Sequence, residues 1–345
     1  MLAVGGGASA HAADLDLPPP GAFTIVVIPD TQGYFGEKTK LTPDSKDPVT
    51  NPVLANHIKW IRESLKDQNI VFVSHVGDVV DKNNEAQWQV AQSHLDGLFG
   101  LVPFGLAVGN HDVNEPSSDA SLFQRFYPAD KFRRFEWYGG SFEARRPDQH
   151  DFANNVNSFQ LFSAGGMEFV FLHLECNAPD EVLEWAGEVL TRYHDRRALI
   201  STHMDLGIRK KPTTREGYIS DPKGRMEWVK VHGARGNTAV QMWQKLYRKH
   251  ANLGFVFSGD QSRVTAMRIS EPGDHGNTVH ALLSDYMSAG PLRLYRFIPR
   301  QNKVQVITYD TTRRELVRRM IYVPDPAQHQ FMLDYPMIVA AAQSR

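Results

Sequence analysis

Six side chains suited to a divalent ion stand just beyond short apolar runs in this sequence. Asp30 and Gln32 follow Phe23–Ile28, and Asp78 follows Ile70–Val73. Asn110 follows Val102–Val108, His203 follows Ala198–Ile200, and Asp260 follows Gly254–Phe257. Carboxylate oxygen, amide oxygen and imidazole nitrogen suit a hard or borderline ion such as Mn, Fe, Zn or Mg. Two such ions about 3.5–4 Å apart clamp a phosphoryl group and lower the pKa of a bridging water. One carboxylate must then bridge them, and Asp78, at a central strand end, has the natural place. His111 stands beside Asn110. It is better placed to support a transition state or protonate a leaving oxygen than to bind metal. Asp81 is the expected carboxylate behind it, orienting the ring.

These residues are far apart in sequence, so a sheet must bring them together. The first three apolar runs alternate with two segments of helical spacing. Leu54, Ile58, Ile61 and Leu65 mark one; Trp88, Ala91, Leu95 and Leu98 mark the other. Strand, helix, strand, helix, strand predicts a βαβ series. Ala164-Gly165-Gly166 predicts a hairpin between Ser158–Phe162 and Met167–Leu172. A helix is expected over 179–193 and another over 238–250. Four further strands follow, at 264–269, 279–283, 292–297 and 304–308, so the second half reads as mostly antiparallel.

Two stretches break the rhythm. Residues 113–157 are rich in aromatics and arginines, and read either as a packed surface excursion or as a cap over a substrate cleft. Residues 204–237 are long, polar and basic, and read either as a solvated face or as a lid for an anionic substrate.

The 345 residues allow one large domain or two ordinary ones, and 41% hydrophobic and 22% charged residues are ordinary for a globular chain. A net charge of −1 gives no global field for extended nucleic acid. Cys176 alone excludes an intrachain disulfide framework. No run approaches the roughly 20 apolar residues of a membrane span. Residues 1–20 read as a leader or signal-peptide remnant followed by a Pro-rich linker, because Ala10-His11-Ala12 has the form of a cleavage site and Pro18-Pro19-Pro20 follows. That makes a secreted or periplasmic location the expectation, with cytoplasmic as the alternative. Residues 21–310 are the expected catalytic domain and 311–345 a C-terminal extension.

The ordered set resembles the calcineurin-like metallophosphoesterase superfamily, whose D-x-H, GD-x-x-D, GNH-[DE], H and GH-x-H blocks fall in that order. Asp30-Thr31-Gln32 looks like a bacterial branch with D-T-Q in place of D-x-H, and Val279 to Tyr309 is similar to that branch's closing strands. The resemblance spans roughly residues 23–310. It implies a four-layer α/β/β/α sandwich of two mixed sheets flanked by helices. It also implies Asp30, Gln32 and Asp78 facing a first metal, with Asp78, Asn110 and His203 facing a second and His111 acting on the leaving group.

The chain departs from the pattern at Gly259-Asp260-Gln261-Ser262, where both imidazoles of GH-x-H are absent. Asp260 still offers a carboxylate to the second metal; neutral Ser262 is a poor ligand. Three outcomes follow: two harder ions, one tight and one labile ion, or lost hydrolysis with the fold kept for binding. His275 and His280 lie downstream without a spacing that singles them out. The expected function is metal-dependent hydrolysis of a small-molecule or nucleotide-like phosphate ester. The alternatives are a binding protein on the same scaffold and a metallohydrolase with a non-phosphate substrate.

Overall fold

The computed structural model describes residues 15–114, 118–261 and 263–337. The expected leader, at residues 1–12, and Ser262 lie outside the described residues.

The chain begins β1 (Phe23–Ile28), α1 (Pro52–Ser64), β2 (Ile70–His75), α2 (Glu85–Leu95) and β3 (Phe104–Leu106). Next come α3 (Ser121–Phe126), α4 (Ala129–Phe132), β4 (Tyr138–Ser141), β5 (Ser158–Ala164), β6 (Met167–His173), α5 (Asp180–Arg192) and β7 (Arg197–Ser201). After β8 (Leu206–Ile208), α6 (Gly217–Ser220), β9 (Lys223–Arg225), α7 (Ala239–Lys245) and β10 (Leu253–Ser258), the chain closes in strands. These are β11 (Ala266–Pro272), β12 (Thr278–Ser284), β13 (Pro291–Ile298), β14 (Lys303–Asp310), β15 (Glu315–Leu316) and β16 (Gln330–Asp334).

Two mixed sheets form. One runs β15-β14-β13-β1-β2-β3, with β16 also on β14; the other runs β11-β12-β10-β7-β6-β5-β4. Their strands read as continuous apolar runs because both faces are buried. Side chains alternate across a strand. Phe23, Ile25 and Val27 of β1 therefore enter the core between the sheets, while Val26 and Ile28 enter the core beneath the helices. The same division separates Phe169 and Phe171 from Val170 and Leu172, and Phe255 and Phe257 from Val256. Between the sheets the rings lock: Phe23 of one sheet meets Phe169 of the other edge-on at 5.7 Å. The helices close the outer faces, giving the expected sandwich.

Strands β1, β2 and β3 pair in parallel. So do β6, β7, β10 and β12. The β10–β12 pairing differs from the expected antiparallel second half. The antiparallel partner of β12 is β11, which lies on its outer side and leaves β12 to run with β10. The third strand is shorter than its apolar run. Past Leu106 the Val108 carbonyl accepts the N–H of Cys176, in the turn after β6, at 2.8 Å, and the ladder ends there.

The aromatic stretch 113–157 is the packed excursion. Phe123, Phe126, Tyr127 and Phe132 are buried, and Trp88 and Phe104 meet their rings. Three of its arginines answer local acids: Arg125 pairs with Glu85 at 3.1 Å, Arg133 with Asp130 at 2.7 Å and Arg146 with Glu181 at 2.8 Å.

The basic stretch 204–237 is likewise built into the fold. Its β8 and β9 pair, and Arg225 lies against Asp205 and Glu271. Arg209 donates to Glu227 at 2.9 Å. These paired side chains do not stand free for a substrate, as both stretches allowed. Within 311–337, β16 returns to the first sheet alongside β14.

Candidate metal centre

The parallel strands deliver the chemistry at their carboxyl ends, where α/β sheets place ligands. Asp30 lies just past β1, Asp78 past β2, Asn110 past β3, His203 past β7 and Asp260 past β10. Main-chain bonds stitch these turns together. Thr31 N–H donates to the Asp78 carbonyl at 3.0 Å and Gly259 N–H to the His203 carbonyl at 2.9 Å. The glycines of the Gly-Asn and second Gly-Asp pairs have a steric reason. A Cβ on Gly109 would collide with Asp78, and one on Gly259 with Asp30. Asp78 and Asp260 both adopt left-handed backbone, φ +51° and +67°, a conformation that aspartate tolerates better than most residues.

Asp30, Asp78 and His203 are buried, and one ligand atom from each lies within 4.8 Å of the others. His203 Nδ1 donates to the Val76 carbonyl at 3.0 Å. That bond fixes the tautomer and leaves Nε2 as the ring nitrogen that could take an ion. Nε2 stands 3.2 Å from Asp78 Oδ1 and 3.7 Å from Asp260 Oδ1. It is buried without a hydrogen-bond partner. Two carboxylates and an imidazole lone pair facing one another out of water need a cation among them. The donor set therefore fits a divalent ion of the Mn, Fe, Zn or Mg kind.

The protonation energetics agree. Burial, with Asp285 close by, raises the Asp30 carboxyl well above its usual range. Burial also works against charge on Asp78, but His203, then His111 and Lys230, hold its carboxyl well below that range. For His203, burial disfavours the cation, yet Asp78 and Asp30 carry its pKa up to about 10. The cluster borrows a proton where a metal would supply the charge.

The Asp30 carboxyl is raised above its unfolded value of 3.8. Its stabilising contribution is thus complete below that pH and is lost as pH rises through the folded value. At pH 7.5 and without metal, Asp30→Asn is expected to raise stability by about 1–3 kcal/mol. Near pH 3.5 the gain should vanish, and metal binding should be lost throughout. Thermal melts in EDTA at the two pH values check this; a destabilised variant at pH 7.5 would contradict it.

The other expected site residues are placed as follows. Gln32 donates its side-chain N–H to Asp78 Oδ2 at 2.8 Å and so braces the central carboxylate. Asn110 and Asp260 are joined by the Lys230 ammonium, which lies 3.3 Å from Asn110 Oδ1 and also contacts Asp260 Oδ1. His111 donates its main-chain N–H to Asp78 Oδ1 at 2.9 Å. Its ring Nδ1 donates to the main-chain carbonyl of Asp81 at 2.7 Å. The expected carboxylate orienter is therefore a carbonyl. The Asp81 carboxylate lies instead 3.7 Å from Lys40, and the Asp81 N–H is held by Gln87 Oε1. His280 is spent between Ser270 and the Asp334 carbonyl, and His275 bonds the Lys249 carbonyl; neither replaces the missing imidazoles.

Three residues of consequence were not assigned from the sequence. Asp112 is buried and accepts the N–H groups of Val80 at 3.0 Å and Gly109 at 2.8 Å, tying the second and third motif turns. Burial and Asp78 push its pKa up to about 6. Its place directly after Asn110-His111 was the available signal. Asp285 caps the turn after β12 by accepting the Met287 N–H at 2.8 Å, and its pKa is pushed up to about 6, mainly by burial. Lys230 was one of eight basic residues in a single stretch, and nothing local distinguished it.

A family model described as Calcineurin-like phosphoesterase matches residues 23–261. The chain is 27% identical over 308 residues to YvnB of Bacillus subtilis (strain 168), which covers 85% of this chain and 20% of that protein. It thus spans about a fifth of that relative's length. Among solved structures it is similar to a dimetal phosphatase from Danio rerio, with a TM-score of 0.50, 13% identity, and coverage of 86% of this chain and 98% of that one. It is also similar to a 5'-nucleotidase precursor from Thermus thermophilus, with a TM-score of 0.47, 12% identity, and coverage of 86% and 53%.

Proposed function

The chain belongs to the calcineurin-like phosphoesterase family, and from that premise we propose that it hydrolyses a small-molecule or nucleotide-like phosphate ester with a divalent ion held by Asp30, Asp78 and His203. The observation that carries this reading is the buried His203 Nε2, without a hydrogen-bond partner and facing carboxylate oxygens. When bound, the ion supplies charge to the phosphoryl oxygens and lowers the pKa of the attacking water.

The remaining work falls to this chain's own side chains. The Asp81 carbonyl keeps a proton on His111 Nδ1, so a second proton on Nε2 makes the ring an imidazolium. That proton serves the departing oxygen, and the positive ring serves the charge developing on it. Gln32 keeps Asp78 aimed by its amide bond. Asp112 keeps the Asn110–His111 turn in place. Extended nucleic acid is not the favoured substrate, because a net charge of −1 gives no global attracting field, and Arg125, Arg146 and Arg225 are paired with the protein's own acids. The small-residue leader supports a secreted or periplasmic location. No helix among the described residues is long and apolar enough to cross a membrane.

The test is hydrolysis of p-nitrophenyl phosphate and bis(p-nitrophenyl) phosphate after EDTA stripping and reconstitution with Mn, Fe, Zn or Mg. Turnover that is lost on stripping and returns with at least one ion is expected. Metal binding without turnover on either ester would favour the binding-protein reading, and neither binding nor turnover would overturn the metal centre altogether.

A further inference from the structure

Asn110 and Asp260 are the side chains that the strand-end pattern allots to a second ion, yet a cation of the protein already joins them. The Lys230 ammonium contacts Asp260 Oδ1 and lies 3.3 Å from Asn110 Oδ1. We propose that the Lys230 ammonium takes the place of the second metal ion, making this a one-metal site completed by a lysine. The proposal rests on reading Asp30, Asp78 and His203 as the place of the remaining ion.

Lys230 is a placed group rather than a wandering surface lysine. Its main-chain N–H donates to Asn177 Oδ1 at 2.8 Å, and the next N–H, of Val231, reaches the same oxygen at 3.3 Å. Asn177 itself is anchored, donating to the Asn237 carbonyl at 3.0 Å. On one side Trp228 Nε1 donates to the Ile208 carbonyl at 3.2 Å. On the other, His232 Nε2 lies 2.8 Å from Glu175 Oε2. The lysine side chain is only 23% exposed. Moving the ammonium aside to admit an ion gives up its contacts with Asp260 and Asn110.

Charge and chemistry agree with the substitution. Where the family pattern has a neutral imidazole, this chain has the carboxylate of Asp260, and Lys230 cancels that added charge. A dication lodged between Asn110 and Asp260 would stand against the ammonium at contact distance, where like charges repel strongly in a water-poor site. An ammonium also suits these oxygens, offering three N–H donors to acceptors. It neutralises charge on a phosphoryl oxygen but does not ionise water. Activation of the attacking water therefore belongs to the single ion at Asp30, Asp78 and His203.

The experiment is metal stoichiometry and Mn(II) electron paramagnetic resonance on the full chain saturated with Mn, with circular dichroism to check folding. Wild type is expected to hold one Mn per chain, with the six-line spectrum of an isolated ion. Lys230→Met removes the ammonium and keeps the stem; it is expected to bind a second Mn at least tenfold more tightly than wild type and to show an exchange-coupled spectrum. Lys230→Arg, which keeps a cation, is expected to stay at one. Two coupled ions in wild type overturn the proposal and leave the hydrolase reading intact. A folded Lys230→Met variant that stays at one ion also overturns it, since the lysine is then not what excludes the second. No bound Mn in wild type overturns it together with the metal-centre reading. If Lys230→Met does not fold, the wild-type count and spectrum decide alone.

Discussion

Asp78→Asn is expected to lower kcat/KM for a phosphate ester by about three orders of magnitude or more, on the scale of losing preorganised charge at a transition state. Asp78 is the hub of the site. Its Oδ1 lies 3.2 Å from His203 Nε2 and accepts the His111 N–H at 2.9 Å, while Oδ2 accepts the Gln32 amide at 2.8 Å. An asparagine keeps the volume and one acceptor oxygen but removes the charge that binds an ion. It also leaves His203 without its principal counter-charge, because Asp78 is the largest influence opposing burial on that imidazole. Metal content by elemental analysis should therefore fall with activity. If the variant keeps its metal and loses only turnover, Asp78 is not a ligand and the centre must be redrawn around Asp30 and Asp260.

The second large effect is expected at His111. His111→Gln should lower kcat by about 10²–10⁴ while leaving metal content unchanged. The ring hydrogen-bonds the Asp81 carbonyl, and the hydrogen bond to Asp78 comes from the main-chain N–H, which glutamine retains. The loss should depend on the leaving group. An alkyl phosphate, whose departing oxygen needs a proton, should lose far more than p-nitrophenyl phosphate, whose anion leaves unaided. Equal losses on both esters would mean that His111 stabilises the phosphoryl group rather than protonating the leaving oxygen. A loss of metal would mean that its role is structural. These outcomes separate His111 from Asp78, whose replacement should cost metal and activity together.

Most of the fold was legible because its strands are short and apolar on both faces. Phe23–Ile28 ends where the hydrophobic run ends, and the same rule located β2, β6, β7 and β10. The rule failed at Val102–Val108. A hydrophobic run measures burial rather than pairing, and Ala107 and Val108 stay buried after the ladder has ended. It said little about residues 204–237, whose order comes from contacts such as Asn177 to Lys230 and His232 to Glu175, far along the chain.

The centre divides in the same way. Sequence alone determined which side chains stand at the strand ends, because a run of apolar residues broken by Asp, Asn or His announces both the strand and its polar terminus. It also exposed the departure at Asp260, since two missing imidazoles are visible without coordinates. Tertiary structure decided what those side chains do. His203 turns Nε2 toward the carboxylates because the Val76 carbonyl takes its other nitrogen. Gln32 is a brace because its amide lies against Asp78. Asp81 acts through a carbonyl that every residue possesses, so no side-chain pattern reveals it. Above all, Lys230 reaches Asp260 and Asn110 across a separation that only folding closes. Its charge is legible in the sequence; its position depends on a loop pinned by Asn177, because hydrogen bonds and burial are properties of neighbours in space rather than neighbours along the chain.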